Sequence, residues 1–139
     1  MITKILVAYD GSSQARKAFD FGLDLAGKYG AGITVLSVAN PAGPPGDVDP
    51  AAVLDHAGEY FASHFNEMKT RAAAMGVGAS FEARVGHPAE QIVSLAAEWK
   101  IDAIVMGHRG ESLLQKWLVG SVAKRVLSYA HCTVVVVRN

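Results

Sequence analysis

The sequence predicts an α/β domain of three layers, a five-stranded parallel sheet covered by helices on both faces. Three observations carry this. Short apolar, β-branched runs alternate with segments of helical period in the order βαβαβαβαβ. The run at 101–107, IDAIVMG, is apolar throughout after Asp102, the pattern of a central strand buried on both faces. The chain has 139 residues, 50% of them hydrophobic, enough for one domain with one real core, so 1–139 is read as a single unit. The crossovers are expected to be right-handed. Alternation alone leaves the strand order open.

The first strand covers 3–9. Asp10, Gly11, Ser12 and Ser13 follow as turn and cap residues. Ala15, Ala18, Phe19, Gly22, Leu25, Ala26 and Tyr29 recur at helical spacing and define the expected buried face of the first helix, with Gly30 as its stop. The second strand is 32–39. Asn40 to Pro50 holds four prolines and two glycines and reads as a loop, longer than the usual link.

The second helix spans about 50–75. Leu54, Ala57, Phe61, Phe65, Met68, Ala72 and Met75 form its apolar face, and their spacing marks core rather than a cofactor box. A partly exposed strand at 79–85 leads to Gly86-His87-Pro88, with His87 as cap and Pro88 at the first helical position. Ile92, Leu95, Ala96 and Trp99 face inward on that third helix. After a loop at 108–112, Leu114, Trp117, Leu118, Ser121, Val122, Arg125 and Val126 mark a fourth helix. Valines 134–137 close the chain in a fifth strand from Cys132.

Composition excludes several function classes. Thirteen Lys plus Arg balance thirteen Asp plus Glu, so nothing steers the chain toward nucleic acid or an anionic membrane. No run reaches the length of a membrane span. Cys132 is the single cysteine and reads as a small buried hydrophobe in a reducing compartment. The start MITKILVAYDG lacks the pattern of a signal peptide. The expectation is a soluble cytoplasmic protein.

Candidate binding residues fall at the carboxyl ends of predicted strands, where open parallel sheets bind ligands. Gly107 and Gly110 let backbone N–H groups approach an anion, and Gly120 with Ser121 returns ten residues later. A helix N-terminus nearby adds a favourable dipole. Two other readings stand beside this one: Gly107 and Gly110 shape a turn, or Gly120 permits close helix packing. The pattern is neither the P-loop GxxxxGK[ST] nor the dinucleotide GxGxxG. Asp10 suits ribose hydroxyls, helix capping or water-mediated Mg²⁺. Arg109 lies between the glycines, as a phosphate partner or a surface charge.

These residues carry a resemblance. G-x2-G-x9-G-S at Gly107, Gly110, Gly120 and Ser121, with KILVAYDGS, GHPAEQI and DAIVMGHRG, resembles the single-domain, ATP-binding universal stress proteins over essentially the whole chain. The resemblance implies an adenine-nucleotide α-hydrolase-like fold with sheet order 3-2-1-4-5. It implies ATP as ligand, with Mg²⁺ or Mn²⁺. Ala8 and Asp10 then lie on the ribose and adenine side, Val38 beside the adenine, and Met106 and Gly107 against ribose and phosphates. Gly110, Gly120, Ser121 and Val122 surround the phosphate chain. A homodimer through Thr133–Val137 is also implied, which would cover a sticky edge.

Nothing in the sequence assembles a catalytic group. His56, His64, His87, His108 and His131 lack metal-ligand spacing. His131 and Cys132 would point to opposite faces of a strand. Ser12 and Ser13 lack the GxSxG setting. The expectation is a nucleotide-binding regulator rather than a metabolic enzyme. A protein-interaction module of the same fold and a slow ATP hydrolase are the alternatives.

Overall fold

A computed structural model of the chain describes residues 1–39, 50–108 and 119–138, without the side chains of 50–58, 60 and 119. Nine elements are present among them: β1 Lys4–Ala8, α1 Ser13–Tyr29, β2 Gly32–Ala39, α2 Pro50–Ala74, β3 Ala79–Val85, α3 Pro88–Glu98, β4 Ala103–Gly107, α4 Val119–Tyr129 and β5 Thr133–Val137. The five strands form one parallel sheet in the order β3-β2-β1-β4-β5. Fold class and strand order agree with expectation. The expected loop before Pro50 lies outside the described residues, as do Leu114, Trp117 and Leu118 of the fourth helical pattern.

Side chains alternate across a strand, so each strand feeds two cores. Ile5, Val7 and Tyr9 join Ile33, Val35 and Val105 under α1 and α2, with Phe19, Leu23, Met68 and Ala72. Leu6 joins Leu36, Ile104 and Met106 under α3 and α4, with Ile92, Leu95, Ala123 and Val126. Ile5, Leu6, Val7, Ile104 and Val105 have no exposed surface, as a sheet centre covered on both faces requires.

Helix α1 opens on Ser12, whose Oγ accepts from Ala15 N at 3.0 Å, and closes on Gly30 in the left-handed region at φ 66°. Its buried face is Ala15, Ala18, Phe19, Gly22, Leu23 and Ala26. This corrects the expected face: Leu23 is inside, Leu25 is half-buried, and Tyr29 is exposed. Between α1 and α2, Asp20 pairs with Arg71 and the Arg71 guanidinium stands 5.5 Å from the Phe19 ring centre. Met75, expected inside, follows the end of α2 and is exposed.

Far from the candidate site, Asp102 fastens the amino end of the sheet. Its Oδ2 accepts from Thr3 N at 2.8 Å, Thr3 Oγ1 at 3.0 Å and Lys4 N at 3.0 Å. The backbone and hydroxyl donors of Thr3 and Lys4 hold its carboxyl below the usual carboxylate range.

Candidate functional site at the carboxyl edge of the sheet

The chain runs outward from β1 through β2 to β3, then crosses back to β4 beside β1. Strand order therefore reverses between β1 and β4, and the crevice beyond their carboxyl ends is the position open parallel sheets use for ligands. Helices α1 and α4 begin at this edge, and neither carries an acidic residue in its first turn. Their partial positive ends favour an anion there.

Four expected site residues share one face. Ala8 ends β1, Val38 lies near the end of β2, Met106 lies in β4, and Val122 lies in α4. All belong to the core under α3 and α4, Met106 buried and the other three half-buried at its margin. Their common face results from strand alternation plus the inward stripe of α4. It makes an apolar wall next to the crevice.

Asp10 lies just past β1 and is exposed. Its Oδ1 accepts from Ser12 N at 2.9 Å, closing the turn that starts α1. The loop-shaping reading of Asp10 is therefore realised. Gly11, at φ 87°, supplies the positive angle this turn needs.

Sequence reasoning missed the residues that fix the Asp10 loop. Tyr9 N donates to Leu36 O at 2.8 Å, and Ser37 Oγ donates to Tyr9 O at 2.9 Å. The Tyr9 hydroxyl lies 2.6 Å from His64 Nδ1, and its ring packs edge-on against Phe61 with centroids 6.0 Å apart. Burial pushes the Tyr9 phenol up, against a smaller opposing pull from Arg16. Backbone and ring together hold the residue before Asp10. The one available signal was Ser37, a hydroxyl inside an otherwise apolar strand.

Gly107 ends β4 opposite Val137. A Cβ there would lie 3.0 Å from Gln14 Cβ and 3.1 Å from the Gln14 carbonyl carbon and oxygen. The glycine lets the first turn of α1 press against the end of β4. Gly120 and Ser121 stand exposed in the first turn of α4, and a Cβ at Gly120 meets no described atom within 4 Å. Close packing among the described residues therefore does not explain Gly120. Arg109 and Gly110 lie outside the described residues. Just before them, His108 N donates to Val137 O at 3.0 Å and extends the ladder one residue.

His87 occupies the cap position of α3 but makes no side-chain cap bond. Its Nε2 instead meets Arg125 Nη1 at 2.8 Å. Cys132 is half-buried against the core under α3 and α4, and burial pushes its thiol up. Among the described residues no three His, Cys, Asp or Glu side chains gather as a metal site, and no helix is long and apolar enough to cross a membrane.

Strand order, crevice and helix termini define a three-layer α/β/α protein with adenine-nucleotide-hydrolase-like topology. The chain belongs to the universal stress protein family, whose family model matches residues 1–138. Universal stress protein YxiE of Bacillus subtilis is 33% identical over 150 residues, covering 99% of this chain and all of its own length. Universal stress protein MJ0531 of Methanocaldococcus jannaschii is 33% identical over 139 residues, covering 98% of this chain and 82% of its own. Among solved structures, universal stress protein UspA from Lactobacillus plantarum superposes with TM-score 0.84 at 27% identity, covering 98% of this chain and 97% of that one. A universal stress protein in complex with cAMP superposes with TM-score 0.76 at 27% identity, covering 97% and 96%.

Proposed function

We propose that this chain is a cytoplasmic regulator that binds an adenine nucleotide, ATP first, in the crevice between β1 and β4. The carrying observation is where the G-x2-G-x9-G-S spacing falls. Gly107 ends β4, and Gly120 and Ser121 lie in the first turn of α4, at the edge where α1 and α4 both begin without an acid in their first turns. Gly110 and Arg109 belong to the same cradle. In this reading the apolar wall of Ala8, Val38, Met106 and Val122 flanks the base and sugar. Asp10 faces the ribose, and Mg²⁺ or Mn²⁺ accompanies the phosphates. The structural relative solved in complex with cAMP supports an adenine-nucleotide ligand for this fold.

The two sheet edges differ in a way that supports a homodimer. Edge strand β3 carries Glu82 and Arg84, with Arg84 paired to Glu98 at 3.0 Å. Edge strand β5 is TVVVV, with its valines half-buried. Charge guards one edge against pairing and leaves the other open to a second copy.

Calorimetric titration of ATP, AMP and cAMP into wild type and a Gly110→Val, Gly120→Val variant tests the site. Wild type should bind ATP and the variant should lose it; equal binding by both would sink the cradle. Turnover of many ATP per minute, abolished at Gly120, would instead make the protein an enzyme.

A further inference from the structure

Arg125 lies on α4 one turn after Ser121 and donates from Nη1 to His87 Nε2 at 2.8 Å. Guanidinium is donor-only, so this bond makes Nε2 the acceptor and places the proton of a neutral imidazole on Nδ1. That Nδ1 is buried and has no hydrogen-bond partner among the described residues. It cannot cap α3 in this state, because a cap must accept, and no cap bond is present. Arg125 makes no ion pair among the described residues. The Arg125 guanidinium and the His87 Nδ1–H thus both stand without an acidic partner among the described residues. Beside them, a groove of about 430 Å³ runs between α3 and α4, lined by Ala89, Glu90, Val93, Ser94, Arg125 and Tyr129.

We propose that this groove is a second binding site, for a small carboxylate with an apolar body, and that Arg125 receives its charge. The carboxylate accepts from the guanidinium in a charge-assisted pair. The apolar body lies on Ala89, Val93 and the Tyr129 ring, and the Ser94 hydroxyl supplies a further donor. Glu90, in the same groove, repels the ligand's charge and confines it to the Arg125 end. Once the carboxylate engages Arg125, His87 Nε2 is released from its acceptor role. The imidazole proton then leaves Nδ1 and one arrives at Nε2 through solvent, with no net proton change. Nδ1 becomes an acceptor available to cap α3. The site is independent of the nucleotide reading.

Benzoate is the test ligand, followed by NMR on the ¹⁵N-labelled full chain. Saturable shifts at the Ala89, Val93 and Ser94 amides are expected, with the His87 ring nitrogens passing from the Nδ1–H to the Nε2–H pattern. Benzyl alcohol, the same ring without charge, should bind roughly tenfold more weakly or worse, the worth of one charge-assisted contact. Arg125→Gln should lose benzoate, Arg125→Lys should keep weaker binding, and Glu90→Gln should tighten it. Equal benzoate binding by wild type and Arg125→Gln would overturn the proposal. So would Glu90→Gln weakening it, or shifts confined to Gly107 and Gly120. Saturating ATP should leave benzoate bound, and displacement by ATP would equally overturn a separate site. Failure of ATP binding alone leaves the benzoate result intact and removes only the nucleotide reading.

Discussion

The missing side chain of Gly107 faces Gln14: a Cβ would stand 3.0 Å from Gln14 Cβ and 3.1 Å from its backbone carbonyl. Backbone on α1 cannot yield as a flexible side-chain tip can. Gly107→Ala therefore pushes the first turn of α1 off β4 and disturbs the Asp10–Ser12 turn attached to it. The expected cost is about 1–3 kcal/mol, typical of overpacking, read as a fall in the urea midpoint. Lost nucleotide binding in this variant would not by itself identify Gly107 as a phosphate contact.

Gly120 separates the two roles. A Cβ there meets no described atom within 4 Å, and the residue lies in the first turn of α4. Alanine lowers the backbone entropy lost on folding and favours helix, so Gly120→Ala should gain up to roughly 1 kcal/mol of stability. In the phosphate-cradle reading the same methyl intrudes on the ligand and weakens ATP. More stable but weaker binding is the signature. A variant that gains stability and keeps full ATP affinity would remove Gly120 from the cradle.

These two glycines show what the sequence could and could not tell. Their spacing was legible as a pattern, but which neighbour each accommodates depends on contacts distant along the chain. The strands and helices followed from periodicity, because burial on this fold imposes a period of two or 3.6. Strand order came only through the family resemblance. Leu23 lies inside in place of Leu25 and Tyr29 because the buried stripe of α1 is set by what the sheet and α2 pack against it, a tertiary effect that a helical wheel does not contain. Tyr9 looked like the end of an apolar run. Its pairing with His64 bridges 55 positions, and no local pattern signals such a bond.

The Tyr9 clamp should be measurable through Ser37. The Ser37 hydroxyl is buried and donates to Tyr9 O at 2.9 Å. Ser37→Ala removes that donor and leaves one lone-pair site of the buried carbonyl unmet, costing about 1–2 kcal/mol. The loop holding Asp10 should loosen with it, so amide exchange at Gly11 and Ser12 should accelerate more than at β4. Uniform acceleration across the sheet would show that Ser37 acts on global stability alone.

Asp102 gives the fold an acid-sensitive fastening. Its carboxyl is held below the ordinary carboxylate value of about 3.8, first by the backbone N–H of Thr3 and Lys4. A carboxylate with a lowered folded pKa stabilises the fold above its unfolded pKa, and the contribution is lost as pH falls through the folded pKa. Asp102→Ala should therefore lower Tm at pH 7. The gap to wild type should narrow as pH drops below about 3.8, the value the unfolded carboxylate takes. A constant gap from pH 7 to pH 2 would show that lost packing, not the charged carboxylate, carries the effect.

The β5 edge yields the last prediction. Its four valines alternate between the two cores, Val135 and Val137 toward α1, Val134 and Val136 toward α3 and α4. None is fully buried. An open edge of this composition pairs readily with another strand, while Glu82 and Arg84 protect the opposite edge. In solution wild type should sediment as a dimer at micromolar concentration. Val135→Lys places a charge at the centre of that edge and should shift the equilibrium to monomer. A matching charge on the β3 edge, Ser80→Lys, should leave the dimer intact. A Val135→Lys protein that remains dimeric, or a wild type that is monomeric throughout, would place the contact elsewhere. Circular dichroism decides whether Val135→Lys acts on association or on the fold, because only loss of the fold would also lower the helical signal.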